Sequence, residues 1–76
     1  MEPRRTGQGG DLKILLNGED YESVAATVGA LVRELELDRQ WVVIEHNLTV
    51  PDKSLWDETP LSEGDQVEIV RFLGGG

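Results

Sequence analysis

The sequence of 76 residues contains no cysteine. It can therefore form neither a disulfide nor a thiolate metal site, and it offers no thiol nucleophile. It also contains a single histidine, His46. One histidine without a cysteine or a second histidine beside it makes neither a zinc site nor a catalytic triad, so we interpret His46 as a strand-end residue. These shortages argue against catalysis by the chain itself, and we expect it to bind no metal or cofactor.

Long apolar runs are also missing. No run approaches the ~18 residues of a membrane span, and the first ten residues lack the apolar core of a signal peptide. We therefore expect a cytoplasmic protein with no membrane partner. One domain of this size leaves little interior volume for a substrate pocket, which typically needs ~300 Å³ or more. The size favours a small protein acted on by partners over an enzyme.

Basic residues are scarce, with 7 Lys and Arg against 15 Asp and Glu and a net charge of −8. This charge repels phosphate backbones, so nucleic acid is a poor candidate partner. The acids either keep a small protein soluble or complement a basic protein partner. The clusters Glu19-Asp20, Asp57-Glu58 and Glu63 to Asp65 lack the ligand pattern of a calcium loop, and we interpret them as solvated faces.

The first half of the chain predicts a hairpin followed by a helix. Residues 1 to 11 are predicted to form a flexible extension. Alternation over 12 to 16, the Asn17-Gly18 turn and residues 19 to 24 indicate a β-hairpin with a type I′ turn. Thr27 is a candidate N-cap for a helix whose apolar stripe is Val28, Leu31, Val32 and Leu35. Gly29 lowers helix propensity, so we expect close packing of the helix on a strand.

The second half predicts two further strands. Residues 41 to 47 are β-branched and apolar enough for a strand, and a turn at 62 to 65 leads into a last strand over 66 to 72. Residues 48 to 51 are predicted as a short extended edge piece, and Leu55 and Trp56 as a cover for the open end of the core. Trp41 is predicted to pack in the core or at its rim. The element order predicts an α+β fold of the β-grasp (ubiquitin-like) type over residues 12 to 73, with a mixed sheet and one helix across one face.

The chain ends in Gly74-Gly75-Gly76. Such an end can simply fray, but a run without Cβ atoms can also thread a narrow channel and bring its carboxylate into another protein's active site. No phosphate-loop lysine accompanies these glycines, so they do not predict a nucleotide site. A carboxylate becomes an acyl donor once ATP converts it to a mixed anhydride whose leaving group is AMP. The tail is therefore a candidate reactive group.

Several segments together resemble the ThiS family of sulfur carriers for the thiazole ring of thiamine. They are Leu12-Lys13-Ile14-Leu15-Leu16-Asn17-Gly18-Glu19, Val42-Val43-Ile44-Glu45-His46-Asn47, Val50-Pro51, Trp56, Leu61, Gly64-Asp65, Val67-Glu68-Ile69-Val70 and Gly74-Gly75-Gly76. The resemblance covers residues 12 to 76. The N-terminal extension is longer than is usual in that family, and the turn from Asn47 to Pro51 is about one residue shorter.

The resemblance implies a carrier with a covalent site at Gly76. An E1-like, ATP-dependent adenylyltransferase (ThiF-like) would adenylate Gly76, a sulfur donor protein would supply sulfur for a thiocarboxylate, and thiazole synthase (ThiG-like) would take the sulfur. Gly74 and Gly75 would thread the partner's channel. Two alternatives stay open, a molybdopterin-synthase small subunit (MoaD-like) and a ubiquitin-like protein modifier. We expect the carrier to be a monomer by itself.

Strand alternation also predicts a docking surface. If Leu12, Ile14, Leu16, Val67 and Ile69 face the helix, alternation turns other apolar residues to the opposite face of the sheet. Those residues are Leu15, Val43, Val70 and Phe72. A contiguous apolar patch that leads to a reactive tail is what a carrier shared by successive enzymes needs.

Overall fold

The computed structural model describes residues 12 to 72. The predicted extension over 1 to 11 and the predicted glycine tail over 74 to 76 lie outside the described residues. Four strands form one mixed sheet in the order β2-β1-β4-β3, with β1 parallel to β4 and the other two pairings antiparallel. The strands are β1 (Leu12–Leu16), β2 (Glu19–Ser23), β3 (Val42–His46) and β4 (Gln66–Arg71). With one α-helix, α1 (Val28–Glu34), this is the predicted β-grasp arrangement.

The predicted hairpin is confirmed, and its turn does more than reverse the chain. Asn17 and Gly18 have φ angles of 51° and 84°, the left-handed values that a type I′ turn requires. The Asn17 backbone N–H donates to the Val67 carbonyl at 2.8 Å, and the Asn17 side-chain oxygen accepts from the Ile69 N–H at 2.7 Å. Asn17 thus continues the pairing of β4 beyond the end of β1.

The helix begins where predicted. The Thr27 hydroxyl accepts a hydrogen bond from the Ala30 N–H at 3.1 Å, as an N-cap does. Val28, Leu31 and Val32 are buried against the sheet, and Leu35 packs partly buried beside them. The rest of the core comes mainly from the inward residues of β1, β3 and β4 and from the connections: Ile14, Ala25, Val42, Ile44, Trp56, Leu61 and Val67. Leu12, Leu16 and Ile69 pack against this core, so the predicted strand parity is confirmed.

Another segment packs closely against α1 at Gly29, as expected, but that segment is not a strand. A Cβ at Gly29 would overlap the carboxylate of Asp57 and lie 3.2 Å from the Asp57 Cα. Asp57 belongs to a 3₁₀ helix over Lys53–Glu58, a segment of which the sequence predicted only that Leu55 and Trp56 cover the core. The helix therefore needs glycine because a second helical segment crosses it there.

The predictions for the segment between β3 and this 3₁₀ helix are partly wrong. Asn47 and Leu48 have φ angles of 50° and 71°, so they form a tight turn instead of an extended piece. The only pairing of this stretch with β3 in the described chain is one bridge between His46 and Thr49. Trp56 is 1% exposed and covers the core as predicted, whereas Leu55 is 49% exposed and does not.

Candidate functional site

The sheet has one face free of the helix, which we call the outer face. Val43 and Val70 lie directly opposite each other across β3 and β4, on the side away from their buried neighbours Val42 and Ile44. Leu15 has the same relation to the buried Ile14 on β1. Phe72 continues the pairing of β4 with β3, because its N–H donates to the Trp41 carbonyl at 2.8 Å. These positions match the predicted face of the sheet.

The four apolar residues Leu15, Val43, Val70 and Phe72 share this face, and together we call them the outer patch. They are not contiguous as predicted, because Leu15 pairs with Gln66 and the opposed Glu45 and Glu68 lie between it and Val70. None of the four apolar residues belongs to the core or packs against it. Val70 and Phe72 are 56% and 50% exposed, whereas Leu15 and Val43 are partly shielded. The exposed half of the patch therefore consists of Val70 on β4 and Phe72, the last described residue. Its role as a docking surface stays a prediction.

Carboxylates lie beside the apolar residues of the outer patch. Glu45 and Glu68 are directly opposite each other on β3 and β4, and they share the face of Val43 and Val70. On β2, Asp20 pairs with Leu15, and Glu22 pairs with Lys13. The strand residues of this face therefore carry four carboxylates against one lysine. This charge complements a basic partner surface and opposes an acidic one.

A groove opens at the end of the sheet from which the tail departs. We call it the tail-base groove; its volume is about 580 Å³, and it is lined by Glu36, Leu37, Asp38, Trp41, Val42, Arg71 and Phe72. Trp41 is 45% exposed and forms part of its wall. Of the two tryptophans predicted to pack in the core or at its rim, Trp56 is thus in the core and Trp41 at the rim. The groove was not predicted from the sequence.

The opposite end of the sheet holds a polar cluster that the sequence did not reveal. His46 Nε2 lies 2.8 Å from Asp65 Oδ2, Asn47 Nδ2 donates to Asp65 Oδ1 at 3.1 Å, and the Ser62 N–H donates to Asp65 Oδ2 at 2.8 Å. Burial alone would raise the pKa of Asp65, but the hydrogen bonds from His46, Asn47 and Ser62 bring it below its ordinary value. The prediction that Asp65 is solvated is therefore wrong, and His46 is a strand-end residue as predicted.

A second polar cluster joins the helix to the hairpin. Glu34 accepts hydrogen bonds from the Tyr21 hydroxyl at 2.5 Å and from the Ser23 hydroxyl at 3.1 Å. The bond to Glu34, burial and the charge of Glu34 together raise the pKa of Tyr21 to about 12. Both clusters join elements within the fold. Among residues 12 to 72, no three His, Asp or Glu side chains are grouped to hold a metal ion.

No helix in the described part of the chain is long and apolar enough to cross a membrane. The carboxylate at Gly76 and the two glycines before it, predicted as the reactive tail, lie outside the described residues. The described structure thus supplies two features that include Phe72, its last residue: the outer patch and the tail-base groove.

Comparisons with known proteins agree with this architecture. The crystal structure of the thiamine biosynthesis protein ThiS from Geobacter metallireducens is similar to this fold, with a TM-score of 0.71 and 29% sequence identity. The match covers 86% of this chain and all of that one. The sulfur carrier protein ThiS of Bacillus subtilis is 33% identical over 63 residues, which cover 80% of this chain and 96% of that protein.

A longer kind of relative also matches. Thiazole synthase of Paramagnetospirillum magneticum is 41% identical over 66 residues, which cover 86% of this chain but 20% of that protein. The chain thus spans about a fifth of the thiazole synthases it matches, which contain a ThiS-like domain fused to a larger remainder. The sequence model of the ThiS family itself matches residues 14–76, from the first core residue of β1 to the last glycine. By that match and by its fold, the chain belongs to the ThiS family.

Proposed function

We propose that the chain carries sulfur as a thiocarboxylate on Gly76. As a ThiS family member, it is a sulfur carrier of thiamine biosynthesis and not itself a catalyst. In the proposed sequence, a Gly76 carboxylate oxygen attacks the α-phosphate of ATP, pyrophosphate leaves, and an acyl-adenylate forms. The terminal sulfur of a persulfide on the donor protein then attacks the acyl carbon, and AMP leaves. A thiol cleaves the S–S bond of the resulting acyl disulfide, so that a disulfide forms on the donor side and the thiocarboxylate is released. Thiazole synthase receives that sulfur, and an E1-like, ThiF-like enzyme catalyses the adenylation.

The observation that carries this proposal is the continuity between the outer patch and the tail. Val70 on β4 and Phe72 just after it are half exposed, and only three residues separate Phe72 from Gly76. When an enzyme binds the patch, only the few residues of the tail remain to be ordered as the tail enters the active site. Binding energy gained on the patch would position the carboxylate for attack.

The carboxylates of the outer face indicate the chemistry of the activating enzyme's surface. Because Asp20, Glu22, Glu45 and Glu68 lie beside the apolar residues of the patch, the complementary surface has apolar groups flanked by a basic rim. Such a surface accelerates encounter with the acidic carrier and excludes acidic competitors. We expect this association to weaken as ionic strength rises.

Intact-mass measurement tests the proposal. The full chain is incubated with ATP, the activating enzyme and a sulfur donor, and we expect the mass gain of one oxygen replaced by sulfur. A variant without Gly76 should fold but gain no sulfur, and sulfur on that variant would contradict the proposal. The protein-modifier alternative predicts higher-mass conjugates with other proteins instead, and the molybdopterin alternative predicts sulfur transfer to molybdopterin synthase.

A further inference from the structure

The lining of the tail-base groove combines apolar and charged side chains. Leu37, Trp41, Val42 and Phe72 provide the apolar part, and Glu36, Asp38 and Arg71 supply charged groups at its rim. Both acids and Arg71 are exposed. The groove therefore suits an apolar side chain of another protein that is accompanied by a cationic side chain.

The backbone that carries the exposed Trp41 side chain is held in place. The Trp41 carbonyl accepts the N–H of Phe72, and the 3₁₀ turn Arg39–Trp41 is capped by the Asp38 carboxylate, which accepts from the Gln40 N–H at 3.0 Å. A tryptophan that is 45% exposed on a fixed backbone loses little conformational freedom when a partner covers it. Such residues are frequent among the energetically dominant contacts of protein interfaces.

The groove and the outer patch are two different surfaces that meet at one residue. Phe72 belongs to both, whereas Leu37 and Trp41 belong only to the groove, and Leu15 and Val43 only to the patch. Both surfaces border the point where the tail leaves the sheet. Two proteins that each receive the tail could therefore use separate anchors, and competition for Phe72 would keep them from binding together.

We propose that the tail-base groove is the docking site for thiazole synthase, whereas the outer patch serves the activating enzyme. The inference rests on the proposed function, in which the same tail must leave one enzyme and enter another. In two relatives a similar segment is part of a thiazole synthase chain, and this favours thiazole synthase as a partner that acts beside the carrier domain. The inserted group would be an apolar side chain beside a Lys or Arg that faces Glu36.

Binding of the full chain to thiazole synthase tests the groove. We expect Trp41→Ala to raise the Kd for thiazole synthase roughly tenfold or more, as loss of an interface anchor does. It should leave the Kd for the activating enzyme within about twofold. Leu55→Ala is the matched control, because Leu55 is also about half exposed but lies outside both surfaces. It should change neither Kd.

A charge reversal tests the rim. Glu36 is exposed and has φ of 59°, a strained value for Glu and Lys alike, so Glu36→Lys changes the charge with little change in backbone cost. We expect it to weaken binding to thiazole synthase, with a difference from the unmodified chain that shrinks at high salt.

Three outcomes would overturn the docking proposal. They are unchanged synthase binding by Trp41→Ala, a loss that falls on the activating enzyme instead, and self-association of the carrier that Trp41→Ala abolishes in sedimentation. Failure of the proposed function would be recognised by a different result. In that case the unmodified chain would gain no sulfur in the intact-mass experiment, whichever protein binds the groove.

Discussion

Glu45 on β3 lies directly opposite Glu68 on β4, on the outer face of the sheet. Carboxylates in directly opposed positions repel each other and destabilise a sheet. The pair stands beside Val43 and Val70 in the outer patch. A basic partner surface would relieve this repulsion, so the same pair that weakens the isolated domain favours its complex.

Glu68→Lys should separate these two effects. It replaces a repulsive pair by an attractive one, and we expect the free energy of unfolding to rise by about 0.5 kcal/mol in urea denaturation. Binding to the activating enzyme should weaken, because the basic rim would then meet a cation. A variant that binds as tightly as the unmodified chain would show that the acidic face is not used.

Phe72→Ala tests the outer patch. The side chain is half exposed and outside the core, so we expect the melting transition to stay almost in place. Affinity for the activating enzyme should fall by roughly thirtyfold, corresponding to about 2 kcal/mol. Calorimetric titration measures this loss, and Leu55→Ala serves again as the half-exposed control. Unaltered binding would show that the activating enzyme does not dock on the outer patch.

Gly75→Val tests the need for glycine in the tail. The substitution adds a branched side chain to a segment outside the core, so we expect unchanged stability. Adenylation should be lost if the activating enzyme's channel admits only residues without Cβ atoms. Intact mass after incubation with ATP and the enzyme reports the result. Normal adenylate formation would mean that the channel is wide.

Gly29→Ala tests the crossing of α1 and the 3₁₀ helix. Alanine favours a helix by about 1 kcal/mol, but its Cβ would collide with Asp57, and such overpacking typically costs about 1–3 kcal/mol. We therefore expect net destabilisation in urea denaturation. Combining it with Asp57→Ala should recover part of the loss, because the colliding carboxylate is removed. A double variant no better than the sum of the singles would contradict this account.

Asp65→Asn tests the polar cluster at the end of the sheet. At pH 7 it should lower the free energy of unfolding by about 1–3 kcal/mol, because a charged hydrogen-bond acceptor is lost. The folded pKa of Asp65 lies below its ordinary value of 3.8, so its contribution is present above that pH and is lost as the pH falls through the folded pKa. The two proteins should therefore converge in acid, and a stability difference that persists there would contradict this account.

Periodicity and turn chemistry were enough to predict most of the fold. The alternation in β1, the positive-φ turn at Asn17-Gly18 and the Thr27 cap are local signals, and the structure contains all three. The alternation of side chains along a strand is also a local signal, and it predicted that Val43 and Val70 lie on the outer face. These features depend on neighbours a few positions away, which a sequence displays directly.

The features that were missed depend on contacts between distant parts of the chain. Gly29 meets Asp57 in a 3₁₀ helix that has no distinct apolar period, and Asp65 gathers donors from His46 and Asn47, far away in the sequence. The tail-base groove likewise forms where the residues after α1 meet the end of β4. Each requires the tertiary arrangement before the partners can be identified.

The position of β4 has a mechanical consequence. It is an inner strand, parallel to β1 on one side and antiparallel to β3 on the other, and Asn17 adds a bond to Ile69 near its end. A force applied to the tail acts along β4 and loads these hydrogen bonds simultaneously in shear. The bonds therefore do not break one after another. We therefore expect that an enzyme can draw the last glycines tightly into its channel without unravelling the domain that delivers them.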